Sequence, residues 1–140
     1  MQRMASRYAT QDASTVSALQ ISEQWRIDAR YVVPEAPLEW KIDLSTESVC
    51  VEPGLIRSLL CDMLQTAVSI AGRKMLHVTC RSEGGRLAFE IVLNGGTAIA
   101  GMIEAQRGYW TALRRLAERN QGTMEPEHLG ATGFPLRLML

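Results

Sequence analysis

The sequence predicts an α/β (α+β) two-layer sandwich, a mixed and mainly antiparallel sheet with helices packed on one face. Three observations point there. Leu38-Glu39-Trp40-Lys41-Ile42-Asp43 alternates apolar and polar residues, the period of a half-buried strand. Leu55, Ile56, Leu59, Leu60, Met63, Leu64, Ala67, Val68 and Ala71 recur at i, i+3, i+4 and i+7, the stripe of a core helix. Beyond them, two alternating stretches flank Glu83-Gly84-Gly85 in hairpin order.

Composition narrows the class. A chain of 140 residues is expected to form one domain with a real core. With 46% hydrophobic and 21% charged residues it reads as globular rather than disordered. Fifteen basic residues balance fifteen acidic ones, which argues against a nucleic-acid platform and against a polybasic membrane-surface module. Cys50, Cys61 and Cys80 stand far apart with no CxxC, so neither a disulfide framework nor a zinc site is expected. A reducing cytoplasm is the expected location. The opening MQRMASRYATQDAST lacks the apolar core of a signal peptide. Leu55 to Ala71 is the most apolar stretch, but it carries Arg57 and Asp62 and reads as a core helix, not a membrane span.

The elements follow in order. Residues 1–13 are polar and read as a flexible N-terminal segment, and residues 14–140 as the single domain. Ser14 or Thr15 is placed to cap a helix running to about Ala29, with Val16, Leu19, Ile21, Trp25 and Ile27 on a loose apolar stripe. Pro34 and Pro37 break it. Leu38–Asp43 is the first strand and Ser48–Val51 a short second one. Pro53 suits the first turn of the core helix, and Gly72 its end. Leu76–Cys80 and Leu87–Leu93 form the hairpin, and Asn94-Gly95-Gly96 closes it. Residues 97–108 are small and mixed. Tyr109 to Asn120 is amphipathic, with Trp110, Leu113, Leu116 and Ala117 inward. Thr123–Glu125 and Phe134–Leu140 read as closing strands.

This order, with the words at its joints, resembles the ATP-binding domain of sensor histidine kinases, in the GHKL superfamily. Val51-Glu52-Pro53-Gly54-Leu55 is similar to the family's acidic-Pro lead into its N-box helix. Asp62-Met63-Leu64-Gln65-Thr66-Ala67 sits where the family has Asn-Leu-Leu-x-Asn-Ala. Asn94-Gly95-Gly96-Thr97-Ala98-Ile99 sits where it has Asp-x-Gly-x-Gly-Ile. Leu113 to Met124 resembles the helix and strand after the ATP lid, and Gly130 to Leu138 the final Gly-Thr-x-Phe strand. The resemblance covers roughly residues 16–140 and implies ATP and Mg²⁺ as ligands.

Motif by motif, the chemistry is altered. The family's Mg²⁺-ligating Asn is Thr66 here, a hydroxyl of shorter reach where hard Mg²⁺ wants oxygen donors. Asp62 holds the first N-box position, where an acidic residue is a general base in the gyrase and chaperone branches. Its other reading is a polar residue at the edge of a core helix. Asn94 takes the place of the adenine-reading Asp, with Gly96 and Ala98 at the two glycine positions; a shifted alignment puts Leu93 there instead. Those residues also read simply as a turn after a strand. Only Ala100 to Arg107 separates Ile99 from Gly108, so the lid is short. Arg107-Gly108-Tyr109-Trp110 keeps one glycine of the segment whose bare N–H groups cradle phosphate in the family. His77 and His128 read as surface residues, so no phosphoacceptor is evident.

The leading expectation is a degenerate domain in bacterial signalling, a non-catalytic module with weak or no ATP binding. Its partner would be a histidine kinase, a response regulator or a second copy of itself. The alternative is an active ATP-binding catalytic domain, with Asp62 as base, Thr66 at the metal, and Asn94, Gly96, Ala98 and Gly108 around the nucleotide. An unassigned α/β binding module is the third. An active site requires an open cavity shared by Asp62, Thr66, Asn94 and Gly96. A degenerate one has Tyr109 or Trp110 as a plug, and a docking module exposes Met102, Ile103 and Tyr109.

Overall fold

A computed structural model describes residues 13–140; apart from Ala13, the predicted flexible segment lies outside the described residues. The elements are β1 (Ser14–Ser17), α1 (Ala18–Val32), β2 (Leu38–Asp43), β3 (Ser48–Val51), α2 (Pro53–Ala71), β4 (Leu76–Glu83), β5 (Arg86–Leu93), α3 (Ala100–Arg119), β6 (Thr123–Glu125) and β7 (Leu136–Met139). Five strands form the main sheet in the order β2-β4-β5-β7-β6. β2 runs parallel to β4 and every other pair is antiparallel. β1 and β3 make a separate two-stranded ribbon. The two-layer sandwich is therefore as predicted, with the ribbon as an addition to the single sheet expected.

The core lies between the sheet and the helices. Val78, Cys80, Phe89, Ile91, Leu136 and Leu138 are fully buried on the strands, against Leu59, Leu60, Met63, Leu64 and Ile70 of α2. Each such aliphatic side chain contributes on the order of 2 kcal/mol by leaving water. Trp25 of α1 is 1% exposed, donates its indole N–H to the Leu60 carbonyl at 3.0 Å, and meets Trp40 and Phe89 edge-on at 5.2 and 6.1 Å. That one residue ties α1 to both α2 and the sheet.

α2 starts and stops as its sequence predicts. The Glu52 carboxylate accepts from the N–H groups of Gly54 and Leu55 at 2.9 and 2.7 Å, satisfying donors that the first turn leaves open. Pro53 follows at the first helical position. Gly72, at φ +68°, turns the chain out and donates to the Val68 carbonyl. Nine residues of α2 are buried in the core. α2 is also the one helix among the described residues long and apolar enough to cross a membrane.

Four sequence expectations are corrected. Residues 14–17 are a strand rather than the start of α1: each of Ser14 to Ser17 pairs with β3, and Ser17 is the cap, accepting from the Gln20 N–H. α1 continues past Ala29 to Val32. α3 begins at Ala100, not Tyr109, so the mixed stretch 97–108 is mostly helical. Ile103, 2% exposed, anchors that added length in the core. The last strand starts at Leu136, two residues later than expected.

Candidate functional site

α2 lies between α1 and α3 in the helical layer, so the N-box positions face a surface walled by both. Asp62 and Thr66 are one turn apart on α2. Thr66 is 1% exposed, and its hydroxyl donates back to the Asp62 carbonyl at 2.9 Å. A hydroxyl committed to its own helix, on a buried side chain, is not presented to a cation. Asp62 is partly exposed, and its carboxylate faces Tyr109 of α3. Burial first, and then the Asp62 charge, push the Tyr109 phenol pKa above its ordinary value.

Two furrows meet here. One, about 530 Å³, is lined by Val32, Gln65, Thr66, Ser69, Gln106 and Tyr109. The next, also about 530 Å³, runs by Asp28, Tyr31, Arg57, Cys61, Asp62 and Gln65. Asp62 and the buried Thr66 therefore border different furrows, and Asn94 and Gly96 line neither. The Asp28 carboxylate is held below the usual carboxylate range, chiefly by Arg57, whose guanidinium donates to it at 2.8 and 2.9 Å. Burial, and then the neighbouring Asp28 charge, push the Cys61 thiol up to about 11, so it is not a nucleophile at neutral pH.

Asn94 follows β5 with its side chain exposed. The loop after it is tied to the far end of α2. Asn94 donates its backbone N–H to the Met75 carbonyl at 3.1 Å, and Ile99 to the Ile70 carbonyl at 2.9 Å. Lys74 donates to the Thr97 carbonyl at 2.8 Å, and its ammonium covers Gly96: a Cβ there would stand 2.6 Å from Nζ. The face of Gly96 is occupied by the chain's own lysine. Ala98 is half-buried in the same loop.

Gly108 lies near the middle of α3. An N–H at that place bonds four residues back within the helix, so it is not one of the open donors that a helix start offers an anion. The helix start is eight residues earlier, at Ala100, capped by no side chain. The sequence places a lid and a cradle between Ile99 and Tyr109; the structure has continuous helix there. Trp110 is not a surface plug. It is 1% exposed and donates its indole N–H to the Pro126 carbonyl at 2.8 Å. Tyr109, 44% exposed, does stand over the α2 surface beside Asp62. Of the expected apolar patch, Met102 and Tyr109 are exposed, whereas Ile103 is in the core.

The N-box residues are poorly placed as Mg²⁺ ligands: Thr66 is 1% exposed with its hydroxyl turned back on its own helix, and Asp62 is a single, partly exposed carboxylate beside Tyr109. Sequence reasoning placed Ile99 in the glycine motif but missed Lys74; both fasten the loop. The signal for Lys74 is Gly96, whose φ of +69° leaves an open backbone for it to cover.

No protein-family model matches the sequence, and no curated protein matches it. Solved structures match over nearly the whole chain. A histidine kinase from Burkholderia phymatum aligns with a TM-score of 0.72 at 13% identity, over 99% of this chain and 74% of that one. The ATP-binding domain of PrrB from Mycobacterium tuberculosis aligns at 0.63 and 19% identity, over 92% and 95%. The Acinetobacter baumannii histidine kinase AdeS aligns at 0.65 and 11% identity over 91% of this chain, which spans 66% of AdeS. With the element order and sheet topology above, these likenesses establish that the chain has the fold of the histidine kinase ATP-binding domain.

Proposed function

We propose that this chain is a degenerate histidine-kinase-type ATPase domain that works in bacterial signalling as a non-catalytic, protein-docking module with weak or no ATP binding. The observation that carries the reading is α3. It runs unbroken through Gly108, so the backbone donors that would meet phosphate are spent inside the helix. Three further features support it: Thr66 bonds its own helix, Lys74 covers Gly96, and Tyr109 overhangs Asp62. The docking partner is a signalling protein such as a histidine kinase or response regulator. Such pairing has a precedent in ThkA, a structural neighbour solved in complex with the response regulator TrrA. Its docking face would include Met102 and Tyr109, exposed on α3. The reading places the chain in the cytoplasm, beside the kinases it resembles.

The test is a calorimetric titration with ATP and Mg²⁺ on the chain and on Asn94→Ala. No saturable heat up to millimolar nucleotide is expected from either. Saturable binding that weakens in Asn94→Ala would reinstate the active ATP-binding reading, with Asn94 as the adenine reader.

A further inference from the structure

The inner stripe of α1, Ala18, Ile21, Ser22, Trp25 and Ala29, is buried. Its outer stripe carries two bulky hydrophobic residues one turn apart. Ile27 is 48% exposed and Tyr31 82%, the highest for a large hydrophobic residue among the described residues. Beside them, a groove of about 450 Å³ runs between the first half of α1 and the start of α2. Gln20, Glu23, Gln24 and Ile27 lie along its α1 wall, over Ile21, Trp25 and Asp28, with Pro53, Arg57 and Leu60 of α2 also lining it. The four wall positions stand at i, i+3, i+4 and i+7, the corners of a hole that takes one side chain from a facing helix.

The same helix supplies the side chain. Lay α1 of a second copy antiparallel on this face, with the two-fold axis at Ile27. Residues at equal distances before and after Ile27 then stand level. Tyr31 of each copy comes level with Glu23 of the other, over the hole. A two-fold keeps a residue on the same side of the seam, so Arg30 of each copy also approaches Glu23 of the other. Arg30 makes no ion pair among the described residues, and Glu23 meets only Arg26 of its own helix, at 3.3 Å and with both half exposed. The face thus pairs opposite charges and sets Tyr31 over the groove when matched with itself, as an isologous contact requires.

We propose that the outer face of α1 is a homodimer interface, with Ile27 at the axis, Tyr31 of each copy seated in the other's groove, and reciprocal Glu23–Arg30 ion pairs. The inference goes beyond the nucleotide question, because it rests on α1 and holds whether or not ATP binds. One pair of 15-residue helices makes a contact at the small end of specific interfaces. Association is therefore expected in the micromolar range rather than the nanomolar.

The test is sedimentation equilibrium of the full 140-residue chain from about 1 µM to about 1 mM, the span over which so small an interface fills. The expected result is a mass rising from one chain toward two. Tyr31→Ala, at a position too exposed to matter for folding, should weaken dimerisation about tenfold or more. Glu23→Arg should weaken it comparably by setting like charges together, and the swap Glu23→Arg with Arg30→Glu should restore it. Circular dichroism checks that each variant keeps its helices. A monomer at every concentration overturns the proposal. So does a dimer indifferent to Tyr31→Ala, or a charge swap that fails to rescue.

Discussion

Gly108→Ala separates the helical reading of α3 from the phosphate-cradle reading. In a cradle, this glycine provides bare backbone to a ligand, and a methyl group harms it. In the structure, Gly108 is an exposed interior helical residue, and a Cβ built there meets nothing within 4 Å. Alanine should therefore stabilise the fold. Glycine in a helix interior costs about 0.5–1 kcal/mol relative to alanine, because the unfolded chain loses more freedom on folding. No packing gain or clash changes that value, since the position faces open space. For a domain of this size the gain corresponds to a rise in Tm of roughly 2–5 °C. Urea unfolding followed by circular dichroism gives the free energy, and differential scanning calorimetry the midpoint. An unchanged or lower stability would refute the reasoning, because it would mean that Gly108 does not occupy regular helix.

Two further substitutions probe contacts within the helical layer. Gly133→Ala should lose about 1–2 kcal/mol in urea unfolding, because φ is +73° and a Cβ would stand 3.1 Å from Ile70 Cγ2 in the core. The Asp28–Arg57 pair should give a pH signature. Asp28's folded pKa is depressed, so its stabilisation is complete above the ordinary carboxylate pKa and is lost as pH falls through the lower folded value. The stability difference between the wild type and Asp28→Asn should be level above about pH 5 and shrink below about pH 4. Its size should be small, since Arg57 is 58% exposed and solvent screens the pair. A difference that grows as the solution is acidified would contradict the assignment.

How much the sequence told depended on where each element gets its stability. α2 was legible because its stripe, its Pro53 start and its Gly72 stop are all local signals, and the structure uses each. β2 was legible from strict alternation, which the burial of Leu38, Trp40 and Ile42 follows. β1 was not. Ser14–Ser17 has no strand pattern of its own and becomes a strand only by pairing with β3, some thirty residues away. The first half of α3 was hidden for a similar reason. Gly101 and Gly108 lower its helix propensity, and what holds it is distant packing of Ile103 beside Ile70 and Gly133.

The candidate site was legible in outline and not in state. Asp62, Thr66, Asn94 and Gly108 could be placed on the chain from the resemblance. Their surroundings depend on a hydroxyl's rotation, on where Lys74 reaches and on how far a helix extends. Thr66 and Asp62 are one turn apart in sequence terms, yet one is sealed and the other partly exposed. Those differences are set by tertiary packing, which the motif residues alone do not encode.

A helix from Ala100 through Trp110 protects its amides with or without nucleotide, whereas a nucleotide-gated lid does so only when ATP is bound. Residue-resolved amide hydrogen exchange, with and without ATP and Mg²⁺, separates the two most directly. Protection is expected to run continuously from Glu104 through Trp110, with Gly108 included and no change on adding nucleotide. Rapid exchange across this segment that becomes protected when ATP is added would contradict the helix.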